Sequence, residues 1–254
     1  MHVAGASPER DSPRAALALL SWRVNLAVVI VLFALSVLAW HSTIQEAVSM
    51  RGMVMGLGHI GWLAQGDMSA GVFLAMWVTM MVAMMLPAIL PVLVRLRAAS
   101  AALTAAGYFS VWTLAGMTIY PLGLGLAFAE MRFPAIARAV PLAMGLVVIL
   151  AGLLQFTAWK QQKLACCRLA PARVAVATAN AWHHGIRLGL HCVACCAGPT
   201  AILLVIGVMD LRAMLLVSLA IFLERHGPQS QHIARVIGVI AVISGLWLVG
   251  SVAL

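Results

Sequence analysis

The sequence predicts an all-α protein, a polytopic bundle of transmembrane helices, from its composition and from the pattern of its apolar runs. Of the 254 residues, 64% are hydrophobic and 9% are charged, and the mean hydropathy is +1.05. A soluble domain has about half apolar and about a quarter charged residues. The apolar runs lack the period-2 alternation of an outer-membrane β-barrel. Only helices and closed barrels pair every backbone N–H and C=O group in hydrocarbon, so the sequence predicts helices.

Seven apolar runs follow one another along the chain. A helix needs about 20 residues to cross the hydrocarbon core, and the sixth run is short for this. We therefore predict seven spans, with six as the alternative. The runs are Trp22–Trp40, Ser69–Val94, Ala106–Ala129, Ala139–Thr157, Leu188–Met209, Ala213–Leu223 and Ala234–Leu254.

The basic residues predict the orientation. With the N-terminus inside and seven spans, twelve of the 16 Lys and Arg residues fall in inner segments. Because positive charge collects on the cytoplasmic side, the sequence favours an N-in/C-out protein of the bacterial cytoplasmic (inner) membrane. The net charge of +9 is then mostly a topology signal. No basic, aromatic-rich soluble segment indicates nucleic acid as a partner.

We expect one folded domain. Residues 1–21 are predicted to be a disordered cytoplasmic tail, and residues 22–254 a single transmembrane helical domain. The first apolar run is long for a signal-peptide core and no clear cleavage site follows it, which favours an uncleaved anchor. His41–Met68 and Lys160–Arg187 are expected to be the sizeable extramembrane segments. Neither resembles a catalytic domain, a Walker loop or a dinucleotide fingerprint, so a non-enzymatic protein is favoured.

The motif HCVACCAGP at 191–199 places polar ligands in the fifth run. Cys192, Cys195 and Cys196 stand at i, i+3 and i+4, so they project from one helix face, and His191 lies on the adjacent row. Three converging thiolates suit a soft ion: Cu(I), or Zn(II) as the alternative. Pro199 is expected to free carbonyls of the preceding turn and to bend the helix. Inert packing and palmitoylation are the other readings of these cysteines.

A methionine stripe marks the second run. Met76, Met80 and Met84 stand at i, i+4 and i+8, and Met81 and Met85 lie on the neighbouring row. Methionine is a common flexible filler of membrane helices, but its neutral thioether also binds Cu(I). With N-in topology, the stripe and the cysteines fall at similar depth, within roughly two helical turns. The sequence thus allows a graded thioether-to-thiolate path for a soft ion, provided that the two helices are neighbours.

Two other groups of polar residues, a cysteine pair and a glutamate, each allow both a functional and an ordinary structural interpretation. Cys166 and Cys167 fall in the predicted basic loop, where they are either ordinary reduced thiols or receivers of an ion from a carrier, and Lys163 and Arg168 would lower a thiol pKa there. Glu224 ends the sixth run, either as a proton or cation handle or, as we favour, in an interfacial ion pair with the adjacent Arg225.

Three stretches together carry a family resemblance. They are MWVTMMVAMMLPA (76–88), LQFTAWKQQKLACCRLAP (154–171), and GIRLGLHCVACCAG with GVMDL and LAIFLER (185–225). The chain resembles, over roughly Leu57–Leu254, the bacterial domain-of-unknown-function family described as predicted metal-binding integral membrane proteins. That family commonly has two cysteines four apart before the loop arginine. Here Lys163 stands four positions before Cys167, and Cys166 is adjacent instead. The resemblance implies metal binding.

Three functions follow from these patterns. The first, which we favour, is a membrane protein that binds a soft metal, with Cu(I) as its ion, and that acts as a transporter or a delivery factor. Its partners would be the lipid bilayer, a metal carrier or other membrane subunits. The second is a thiol-redox protein using Cys192 and Cys195, although no second cysteine pair faces the outside. The third is a structural subunit of a membrane assembly.

Overall fold

The computed structural model describes residues 12–49, 69–169, 180–208 and 210–253, with side chains between Leu26 and Ser251. Within these ranges the chain forms eight helices and no strand, which confirms the predicted all-α bundle. The helices are α1 (Ser12–Ser49), α2 (Ala70–Leu93), α3 (Ala98–Arg132), α4 (Pro134–Leu154), α5 (Ala158–Leu169), α6 (Ala181–Ile206), α7 (Leu211–His226) and α8 (Ser230–Ala253).

Six of these helices are long and apolar enough to cross a membrane: α1, α2, α3, α4, α6 and α8. Helix α7 has 16 residues and is shorter than a usual span. It corresponds to the run Ala213–Leu223, which is also short in the sequence. The choice between six and seven spans and the N-in orientation stay predictions.

Helix α1 is longer than the apolar run from which it was predicted. It begins at Ser12, so it includes the last part of the segment predicted as a disordered tail, and it continues to Ser49, beyond the predicted loop start at His41. Apolar length measures the fit to hydrocarbon, whereas a helix continues as long as its backbone hydrogen bonds do. Residues 1–11 and 50–68 lie outside the described ranges.

The segment predicted as a loop at Lys160–Arg187 contains helix α5 and the first turns of α6. Helix α5 buries Lys160, Leu164 and Cys167, which are spaced i, i+4 and i+7 on one face. Its other positions include Gln and Lys, which lower its mean hydropathy, so the helix does not form an apolar run in the sequence. Residues 170–179 lie outside the described ranges. The described part of this segment is thus helical, and its extramembrane position stays a prediction.

Small residues let the long helices pack closely, as is usual in membrane bundles. Helix α3 packs along α6, where Gly107 faces the backbone of Trp182 and Gly185 faces the backbone of Thr104. Helix α4 packs along α8 through four facing glycines, Gly145, Gly152, Gly238 and Gly245. In both pairs, glycine allows the helix backbones to approach closely.

Helix α2 lies deepest in the bundle, with 61% of its most apolar window buried. Its side chains share one core with α3, α6 and α7. On the outer surface, large apolar side chains such as Leu122 and Trp247 are more than two-thirds exposed. An apolar outer surface of this kind suits contact with lipid rather than with water.

Candidate metal centre

Three cysteines meet in the core as their spacing predicted. The sulfur atoms of Cys192, Cys195 and Cys196 all lie within 4.8 Å of one another. Cys192 and Cys196 Sγ are 3.7 Å apart, and Cys195 and Cys196 Sγ are 3.6 Å apart. Two sulfurs on one ion at bonds of about 2.3 Å can be at most about 4.6 Å apart. The two measured separations satisfy that limit, and all three side chains are at most 2% exposed.

Pro199 leaves the backbone carbonyl of Cys195 without its usual helical donor. Helix α6 runs through it without a break, but proline has no N–H to donate to the carbonyl four residues earlier, that of Cys195. The Lys160 ammonium of α5 donates to this carbonyl oxygen instead. The predicted freeing of a carbonyl by Pro199 therefore has a structural counterpart, and its new donor comes from a different helix.

A buried ion pair holds that lysine in place. Lys160 Nζ lies 2.8 Å from Glu224 Oε2, and their side chains are 4% and 3% exposed. Gln155 Nε2 donates to the other carboxylate oxygen at 2.9 Å. The expected pairing of Glu224 with Arg225 is thus wrong. Successive residues on a helix point about 100° apart, so Glu224 faces α5 while Arg225 faces the thiols.

Arg225 brings a positive charge to the thiols. Its Nη1 donates to Cys192 Sγ at 3.4 Å, and its Nε has no hydrogen-bond partner in the described part of the chain, although the residue is only 5% exposed. The Tyr108 hydroxyl of α3 donates to the same sulfur at 2.8 Å. A buried guanidinium is costly without a negative partner. Negative charge on the neighbouring sulfurs would offset this cost.

A fourth thiol adjoins the centre and was not identified as part of it from the sequence. Cys167 of α5 is 3% exposed, and its sulfur lies 3.6 Å from Cys195 Sγ. A hydrogen bond from Cys195 and the charge of Arg225 lower the pKa of the Cys167 thiol against the effect of burial. The expected causes, Lys163 and Arg168, are not the ones found. Its neighbour Cys166 is exposed.

The methionine stripe and the thiols belong to one buried cluster. The five predicted methionines are all at most 4% exposed and share the core with the three cysteines; they are Met76, Met80, Met81, Met84 and Met85. Helices α2 and α6 thus contribute to the same core, and both pack against α3 and α7 rather than extensively against each other.

Hydrogen bonds to α3 indicate the relative depth of the methionines of α2 and the cysteines of α6. Trp77 of α2 donates to the carbonyl of Trp112 at 2.8 Å, and Tyr108, one turn away on α3, donates to Cys192. Met80 and Met81, one turn along α2 from Trp77, therefore lie near the depth of Cys192. The two sets therefore lie at similar depth, within the roughly two helical turns that the sequence predicts.

His191 is not part of the thiol group. The group of mutually close ligand atoms comprises the three cysteines, and the His191 side chain is partly exposed on a different face of α6. Adjacent helix residues diverge by about 100°, which explains why proximity in sequence does not bring the imidazole to the sulfurs. Its assignment as a ligand stays a prediction.

The fold and this centre define a class of protein. An all-helical bundle with six potential membrane helices encloses a group of buried thiols that could hold a soft metal ion. The chain matches, over residues 74–248, the family described as PpoB2, copper chaperone, and it belongs to that family. No curated protein and no solved structure matches it. The copper description agrees with the predicted metal binding; membership of the uncharacterised family that it resembles stays a prediction.

Proposed function

We propose that this protein is a copper chaperone of the bacterial inner membrane that binds Cu(I) in the lipid-embedded core through Cys192, Cys195 and Cys196. The observation that carries the proposal is the convergence of three buried sulfurs within 4.8 Å. Thiolates are the ligands that Cu(I) prefers, and the family description names copper. The protein would hold the ion in transit between a carrier and a recipient.

Charge balance favours Cu(I) over Zn(II). Cu(I) with two thiolates carries one net negative charge, which the guanidinium of Arg225 neutralises beside Cys192. A structural Zn(II) site is closed by four ligands. Among the described residues the group of mutually close sulfurs has three members, and both Cys167 and His191 lie outside it. A two- or three-coordinate sulfur site is therefore the better match to the residues present.

The methionines would extend the site as neutral ligands. Met80 and Met81 are fully buried near the depth of Cys192 and belong to the same cluster. Thioethers bind Cu(I) without placing a further charge in the core. They would supply weaker positions along which the ion moves to or from the thiolates, and Met76, Met84 and Met85 would continue this row.

The test is copper binding by the detergent-purified full chain under reducing, anaerobic conditions. We expect near-stoichiometric Cu(I) in the wild type and its loss in the Cys192→Ser/Cys195→Ser/Cys196→Ser variant, measured by elemental analysis after desalting. Cys166→Ser, which changes an exposed thiol, is the matched control and should keep the copper. A folded wild type without copper would contradict the proposal. A reducible disulfide in that protein would instead favour thiol exchange.

A Met80→Leu/Met81→Leu variant tests the thioether ligands separately. Leucine conserves volume in a core, and such exchanges usually cost less than about 1.5 kcal/mol each. We therefore expect a similar Tm and unchanged copper at saturation, but lower retention of copper when a Cu(I) chelator competes. Equal retention in the variant and the wild type would reduce the methionines to packing residues.

A further inference from the structure

Within the described part of the chain, the thiols of the centre are buried away from a copper carrier. Cys192, Cys195 and Cys196 are 0%, 1% and 2% exposed, so the sulfur of a carrier does not reach them in this arrangement. Ligand exchange needs contact between the entering sulfur and the ion. A further sulfur between the centre and the surface would provide that contact.

Helix α5 supplies a further sulfur beside the centre, that of Cys167, which is itself only 3% exposed and would be uncovered by a displacement of α5. It is the short helix that packs on α6 and α7 beside the thiols, and its Cys167 sulfur lies 3.6 Å from Cys195 Sγ. One position earlier, Cys166 lies on the exposed side, on the same face as the exposed Gln162. The same short helix thus has one face against the copper ligands and another at the surface.

A second observation that points to a ligand is the buried Arg225 beside the thiols. Arg225 is aimed into the thiols with its Nη1 on Cys192, and its buried Nε is unpartnered within the described residues. Such a guanidinium can compensate the negative charge of a copper–thiolate unit that forms beside it.

We propose that Cys167 is the transfer ligand of this protein, through which Cu(I) enters or leaves the Cys192/Cys195/Cys196 site. The inference rests on the proposed copper function and adds a route to it. Copper bound between Cys167 and Cys195 exchanges one sulfur for another: one Cu–S bond forms to Cys196 or Cys192 as the bond to Cys167 breaks. The proton of the entering thiol passes to the departing thiolate, and copper stays Cu(I) throughout.

The α5 contacts are suited to this role. Lys160 joins α5 to the Cys195 carbonyl and to Glu224, and Arg168 joins its other end to the Gly227 carbonyl and the Ser230 hydroxyl. These contacts fix Cys167 against Cys195 at both ends of the helix. A carrier that docks on the exposed face would have to displace α5, and break some of these contacts, to reach the ion.

The experiment separates the rate of loading from the amount loaded. Purified full-length protein is mixed anaerobically with Cu(I)–glutathione, and bound copper is followed with time after rapid desalting. Cys167→Ser and Cys167→Ala should reach the wild-type copper content about tenfold or more slowly, because exchange rates depend on access of the attacking sulfur. Cys166→Ser, on the same helix, should load at the wild-type rate. The alanine variant keeps the test valid if the buried serine prevents folding.

Each alternative result has a distinct meaning. Wild-type loading rates in both Cys167 variants would overturn the transfer role. Loss of copper at saturation would also overturn it, since Cys167 would then be a permanent ligand, and so would equal slowing by Cys166→Ser. A wild-type protein that binds no copper would instead overturn the proposed function itself.

Discussion

Replacing Gly107 by alanine is expected to destabilise the protein by about 3 kcal/mol, the upper end of the usual cost of overpacking a core. A Cβ at this position would overlap the carbonyl oxygen of Trp182 and lie 3.2 Å from the backbone N of Ile186. Backbone atoms cannot move aside as a flexible side chain can, so α3 and α6 would have to separate. We expect a clear fall in Tm in detergent, together with looser contact between Tyr108 and Cys192.

Gly125→Ala is the matched control on the same helix. A Cβ there meets no atom within 4 Å, and alanine is favoured over glycine in a helix by roughly 0.5–1 kcal/mol. The two Gly→Ala changes in α3 should therefore shift Tm in opposite directions. A Gly107→Ala protein as stable as the wild type would show that the close α3–α6 crossing is absent.

Composition and spacing predicted the elements that depend on local sequence. The membrane helices follow from long apolar runs, and the three cysteines of α6 converge because i, i+3 and i+4 always share a face. Pro199 has a predictable local effect too, since it removes a donor from a known carbonyl. These parts of the site depend on residues within one or two turns of a single helix.

The remainder of the site depends on which helices become neighbours. Cys167 and Tyr108 reach the thiols from α5 and α3, and Lys160 of α5 reaches the Cys195 carbonyl. No local pattern places those helices beside α6. One signal was present: Lys160, Leu164 and Cys167 have the spacing of one helix face. Glu224 illustrates the opposite error, because adjacency in sequence suggested a pair with Arg225 that helix geometry forbids.

Replacing Lys160 by methionine is expected to cost about 3–5 kcal/mol, the usual effect of leaving one partner of a buried ion pair uncompensated. Glu224 would keep the amide of Gln155 but lose its cation, and the Cys195 carbonyl freed by Pro199 would lose its donor. Thermal unfolding in detergent measures the loss. Because α5 is held partly by this lysine, we also expect Cys167 to react faster with a thiol reagent.

The double variant Lys160→Met/Glu224→Met provides the decisive control. Removing both charges takes away the uncompensated carboxylate, and apolar replacements of buried ion pairs are often neutral or stabilising. The double variant should therefore regain most of the Tm lost by Lys160→Met, although its Cys195 carbonyl still lacks the lysine. The Glu224→Met single variant completes the comparison. If the Tm loss of the double variant equals the sum of the losses in the two single variants, Lys160 and Glu224 do not interact, and the buried pair is not what holds α5 in place.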